Sequence, residues 1–201
     1  MATEKDDQNL FTVGQAAQRI AKVLGKKPDF IARQLRTFLQ RNLVAYAFRA
    51  GDGPTAPAML GLPAVCQAAV QCALAERGFT LPADDRASVF HAAFLGMQTY
   101  TTPSNWTPAQ ERRFKAEHSL TPIESAIVAI RDGRSANLAI VFYRDARSKR
   151  VYIRASVFLD GKFSSTAPDL HTPVSYIPEG VHIIHLQPVL LPLVAVRDGM
   201  N

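Results

Sequence analysis

"KKPDFIARQLRTFLQRNLVAYAFRAGDG" runs from Lys26 to Gly53, and its apolar period changes partway along. At 100° per residue, Ile31, Leu35, Phe38 and Leu39 fall within about 100° of one another, while Asp29, Arg33, Arg36, Thr37 and Gln40 fall on the opposite side. That spacing predicts an amphipathic helix over 28–41. Pro28 stands at its first position, where a missing N–H leaves no intrahelical bond unmade. Past Leu43 the period shortens to two. Val44, Tyr46 and Phe48 alternate with Ala45, Ala47 and Arg49, and "AGDG" supplies turn residues. A short hairpin is therefore expected directly behind a cation-rich helix.

Upstream, Val13, Ala16, Ala17, Ile20, Ala21, Val23 and Leu24 share one face of a helix over 12–24, with Gln15, Gln18, Arg19 and Lys22 on the other. Thr12 is a candidate N-cap and Gly25 a candidate stop. "GKKP" then turns the chain into the second helix. Two amphipathic helices joined by a tight turn form a helix–turn–helix, and the hairpin behind them takes the place of a wing.

Charge singles out the same region. The chain has 201 residues and a formal net charge of +6. Between Arg19 and Arg49 stand eight cations (Arg19, Lys22, Lys26, Lys27, Arg33, Arg36, Arg41, Arg49) against one acid, Asp29. From Gly61 to Asn201 fourteen cations nearly balance twelve acids. Concentrated cations favour an acidic partner, because each phosphate met by Lys or Arg releases counterion. A helix fits the major groove of DNA, where Arg can take guanine O6 and N7 and Gln can take adenine N6 and N7. Lys26 and Lys27 flank the second helix's N-terminus, where backbone N–H groups favour an anion. The alternative is a solvated basic face on a structural helix pair.

These segments resemble a known family. "FTVGQAAQRIAKVLG", then "RQLRTFLQRNLV", then a glycine-containing hairpin, then an apolar helix ending "LAERGFTL" is similar to the MerR-like winged helix, over roughly residues 10–81. The resemblance implies double-stranded DNA as partner. It makes Arg33, Arg36 and Gln40 groove contacts and Arg49 a backbone contact from the wing. Thr37 and Arg41 extend the DNA-binding set. Ligand sensing and dimer mode do not carry over. No long coiled coil follows the winged helix, and the C-terminal half has no matching cysteine metal site.

The expected organisation is α+β. Residues 1–9 form a disordered tail, 10–100 a winged helix–turn–helix domain with following helices, and 101–201 a small α+β domain with an antiparallel sheet. "LPAVCQAAVQCALAER" (62–77) is apolar on almost every side, so that helix is buried or packs on another subunit. A helix over 84–99 follows, with Ala87, Phe90, Phe94 and Met97 as its stripe, and "TTPSNW" (101–106) marks the boundary. Capping boxes open at Thr107–Gln110 and Thr121–Glu124. "ANLAIVFYRD" and "KRVYIRASVFLDG" read as strands joined by the basic turn "ARSK", and "VHIIHLQPVLLPLVAV" as one or two more, broken at Pro188. Arg144, Arg147, Lys149 and Arg150 at that turn are either a second phosphate contact or, more simply, solvating charge.

Nothing points to catalysis. The sequence holds no P-loop, G-x-S-x-G or H-E-x-x-H pattern. His182 and His185 have an odd spacing that puts them on opposite faces of a strand, which argues against a shared metal. His91, beside an apolar stripe, reads as structural. Asp160, Gly161 and Lys162 suggest a hairpin turn. Cys66 and Cys72, six residues apart on a helix, diverge and stand roughly 9 Å apart along its axis, so neither a disulfide nor a metal pair is expected. No cofactor is expected. "MATEKDDQNL" lacks the pattern of a signal peptide, and no apolar run approaches a membrane span, so a cytoplasmic, nucleoid-associated protein is expected.

The sequence therefore supports a sequence-specific DNA-binding transcriptional regulator, dimeric, with a possible protein partner through its C-terminal domain. Two alternatives share the same residues: an excisionase-like or architectural factor that bends DNA, and an interaction module for an acidic protein.

Overall fold

Thr12 opens the first helix as the sequence suggests, and Gln15 closes a reciprocal box around it. The Gln15 N–H donates to Thr12 Oγ1 (3.2 Å), and the Thr12 N–H donates to Gln15 Oε1 (2.9 Å). Helix α1 is Val13–Leu24, with Ala16, Ala17, Ile20 and Ala21 buried. Gly25 ends it in the left-handed conformation (φ 65°), and Lys26 N–H donates back to Ala21 O at 2.9 Å. Glycine suits that backbone because a Cβ is penalised there. The computed structural model describes residues 10–51, 53, 56–79, 89–90, 93–94, 107, 120–145, 147, 151–161 and 176–195.

Helix α2 is Pro28–Gln40, and it buries Ile31, Leu35 and Phe38. It ends in a second left-handed residue, Asn42 (φ 53°), with Leu43 N–H reaching Phe38 O (2.8 Å) and Asn42 N–H reaching Leu39 O (3.2 Å). Two glutamines on a later helix hold the exit from this cap. Gln67 Nε2 and Gln71 Nε2 both donate to the Leu43 carbonyl, at 2.8 and 3.0 Å. The chain leaves α2 along a path set by its own cap and by these amides.

The hairpin is present but shorter than the alternation suggests. Strand β2 is Phe48–Arg49 and β3 is Ala58–Gly61, paired antiparallel with Phe48 opposite Met59. A third strand, β1 (Leu10–Thr12), pairs with the other edge of β3, giving the order β1-β3-β2. The helical spacing starts at Thr12 and gives no strand before it. Phe11, buried in β1, is what draws that segment onto the sheet. Helix α3, Leu62–Glu76, then packs against α1, α2 and β3. Val65, Cys66, Ala68, Ala69, Val70 and Cys72 are all buried, so its apolar girth is satisfied within the chain. Cys66 and Cys72 are not disulfide-bonded.

The chain divides into two compact units, 1–83 with 188–201, and 84–187. The boundary expected near 101–106 lies outside the described residues, as do most of the expected helix over 84–99, the box at Thr107–Gln110 apart from Thr107, and residues 1–9. In the second unit Phe90 and Phe94 are buried and stack with centroids 5.9 Å apart. Helix α4, Pro122–Arg131, carries the expected box, with Thr121 N–H donating to Glu124 Oε2 at 2.7 Å. It packs on a sheet of β4 (Ala136–Asp145), β5 (Val151–Leu159) and β6 (Tyr176–His185), in the order β5-β4-β6 and antiparallel throughout. The protein is thus α+β, with two three-stranded antiparallel sheets among the described residues.

One expected strand is a helix. Residues Gln187–Val194 form α5, although the sequence suggests further strand broken at Pro188. Pro188 lies in the first turn, where it is tolerated. Val189, Leu190, Leu193 and Val194 are buried at a spacing that only a helix places on one side. Asp160 (φ 54°) and Gly161 (φ 67°) do turn the chain after β5, but β6 pairs with β4 and not with β5. Lys162 lies outside the described residues.

Candidate nucleic-acid interface

The burial of Ile31, Leu35 and Phe38 fixes which way the rest of α2 points. Arg33, Arg36, Thr37 and Gln40 are all exposed, and so are Asp29, Phe30 and Arg41 at the helix ends. On a helical projection these seven span about 140°. The face therefore carries three guanidinium groups, an amide, a hydroxyl, a carboxylate and a phenyl ring. Thr37 Oγ1 donates to Arg33 O at 3.1 Å, which leaves the hydroxyl oxygen outward as an acceptor.

The two lysines of the turn differ. Lys27 is exposed at the N-cap of α2 with extended backbone (φ −75°, ψ 133°), and its side chain makes no cap bond. Its carbonyl accepts from Phe30 N–H (3.1 Å) and Ile31 N–H (3.3 Å), the first turn's own bonds. Asp29 supplies negative charge to that helix end. Lys26 has a partner elsewhere, with Nζ 3.2 Å from Glu76 Oε1 at the end of α3. A phosphate would compete with Glu76 for Lys26. Among the described residues no such competitor holds Lys27.

Arg49 lies on the hairpin and is held against it. Its Nη1 donates to Ala56 O at 3.0 Å, and its guanidinium lies 5.3 Å from the centre of the Tyr46 ring. The first contact spans the loop that joins β2 to β3, and the second packs the guanidinium on a residue just before β2. Tyr46 and Phe48 are 45% and 46% exposed. Arg19, counted among the cations of this region, stacks over Phe11 at 4.5 Å and so belongs to the packing of α1 on β1.

The structure thus places Arg33, Arg36, Thr37, Gln40 and Arg41 together along one helix, Lys27 at its start, Lys26 in an ion pair and Arg49 on the hairpin. It adds Phe30, which a search for charged and amide groups does not pick out. The helical projection that selects Arg33 already puts Phe30 about 60° from it.

Elsewhere, Arg144 and Arg147 flank the end of β4, while Lys149 and Arg150 of the basic turn lie outside the described residues. In β6 His182 stands opposite Ile140 and His185 opposite Asn137, which puts the two histidines on opposite sheet faces. His185 Nδ1 is 2.6 Å from Asn137 Oδ1, a polar contact at a buried asparagine. His91, His118 and His171 lie outside the described residues. Among the described residues no three His, Cys, Asp or Glu side chains are grouped to hold a metal, and no helix is long and apolar enough to cross a membrane. No family model, no curated protein and no solved structure matches this chain.

Proposed function

We propose that the chain is a sequence-specific DNA-binding regulator in which α2 reads the major groove of double-stranded DNA. One observation carries the reading. A helix docked by three buried side chains turns Arg33, Arg36, Thr37, Gln40 and Arg41 outward together, and a hairpin follows it in sequence. The element order β1-α1-α2-β2-β3-α3, with β3 central in its sheet, supports the MerR-like winged-helix assignment, with β2 and β3 as the wing. Lys27 and Arg49 position the duplex through its phosphates, and the α2 face specifies sequence. The protein acts at the nucleoid.

A homodimer accords with this reading. Among the described residues strand β6 is an edge of the second unit's sheet, and it exposes Val181 (53%) and Ile183 (55%). Edge strands present unpaired backbone groups that pair readily with another chain, and a second copy is the partner proposed here. A protein partner on the same unit is the other occupant considered.

The test is selection of bound sequences from a random duplex pool by the full chain. A defined motif, repeated with two-fold symmetry, is expected. Failure to enrich any sequence would overturn the reading. Architectural binding is the second reading, favoured by exposed Tyr46 and Phe48 on the hairpin. Aromatic or apolar wedges of that kind unstack base steps and bend DNA. Bending shown by circular-permutation mobility, without an enriched motif, would select it.

A further inference from the structure

Phe30 is the one large apolar side chain on the outward face of α2. It lies in the first turn and is 44% exposed, although the same helix buries Ile31, Leu35 and Phe38 almost completely. Its neighbours on that face are Asp29, Arg33, Arg36, Thr37 and Gln40, every one a hydrogen-bonding group. Phe30, Arg33 and Thr37 stand at i, i+3 and i+7, so they form a strip along the helix. A recognition helix meets base edges with its N-terminal residues, and this places Phe30 where contact is closest.

A phenyl ring offers no hydrogen bond to a base edge. The major-groove edge of DNA carries hydrogen-bond donors and acceptors and one apolar feature, the 5-methyl group of thymine. We infer that Phe30 is a specificity-determining residue that takes the 5-methyl group of a thymine; the inference rests on the DNA-reading role proposed for α2. Phe30 and Arg33 stand roughly 4.5 Å apart along the helix axis, little more than the ~3.4 Å rise of one base step. The thymine therefore lies next to the base that Arg33 reads. Cytosine presents only hydrogen at that carbon, so the contact separates T·A from C·G. 5-Methylcytosine, which carries the same methyl, regains part of it.

The experiment takes the sequence selected by the full chain and replaces each thymine in turn by deoxyuridine, which lacks only the methyl. Binding to each duplex is measured for the parent, Phe30→Ala, Phe30→Leu and Arg33→Ala. One thymine per half-site should lose about fourfold in affinity, the worth of one buried methyl. The loss should vanish in Phe30→Ala, persist in part in Phe30→Leu, and fall beside the position that Arg33→Ala relaxes. Phe30 is exposed, so its variants should keep the parent's circular dichroism and melting temperature. A selected motif with no methyl-sensitive thymine, or a sensitivity that survives in Phe30→Ala, would overturn this inference alone. A pool that enriches no motif would remove the DNA-reading role with it.

Discussion

Leu43 shows how much of the candidate interface depends on single polar atoms. Its carbonyl takes amide protons from both Gln67 and Gln71, and all three residues are buried. Gln71 Oε1 is itself buried with no hydrogen-bond partner. Removing that amide relieves one orphaned acceptor and leaves the carbonyl satisfied by Gln67. Gln71→Leu should therefore change stability by less than about 1 kcal/mol, while Gln67→Leu combined with Gln71→Leu should cost a further 1–3 kcal/mol or so, since the carbonyl is then buried unpaired. Urea denaturation of the two singles and the double closes the cycle, and additive losses would contradict it. Neither glutamine is legible in the sequence as a buried anchor. Each stands in an apolar helix as one polar residue, and only the fold brings Leu43 beneath it. The same limit applies to Lys26 and Arg49. Their charge is readable, but their partners Glu76, Ala56 and Tyr46 are set by turns that sequence spacing does not fix.

Helices are the most legible elements because three signals agree in them: an apolar stripe, a cap and a stop. Thr12, Gly25, Pro28 and Thr121 all act where local chemistry places them. The cap at α1 gives a direct check. Thr12→Ala removes the side-chain oxygen that accepts Gln15 N–H and leaves the Gln15 amide with one partner fewer. It should lower stability by about 1 kcal/mol, read as a shift in urea midpoint with unchanged slope; an unchanged midpoint would show that β1 pairing alone holds this end. Strands are less legible. β4 and β5 are long and carry β-branched and aromatic residues together, and they stand close to where their composition puts them. β1 is three residues long, too short for any period to show. α5 reads as strand because Val and Leu serve both strand and buried helix, and because Pro188 can mark either a break or a first turn.

At the scale of the whole molecule, the concentration of charge sets this protein apart from a generic α+β fold. The excess cations stand between Arg19 and Arg49. The structure sorts them into one that packs (Arg19), one that pairs (Lys26), one held on the hairpin (Arg49), one exposed on α1 (Lys22), one exposed at the α2 N-cap (Lys27) and a set turned outward on α2. Burial of α3 within the chain also means that its apolar surface does not by itself demand a second subunit. In the proposed function, positioning and reading are divided between Lys27 and the α2 face. That division is tested by a salt titration of binding to the selected sequence and to random duplex DNA, made with the parent, Lys27→Ala and Arg36→Ala. Lys27→Ala should weaken both DNAs alike and flatten the slope of log K against log salt by roughly 0.9. Arg36→Ala should instead cost on the order of 1–3 kcal/mol on the selected sequence and so narrow its advantage over random DNA. Curves for both variants that overlay the parent on both DNAs would contradict the division and return the basic face of α2 to solvent or to an acidic protein partner.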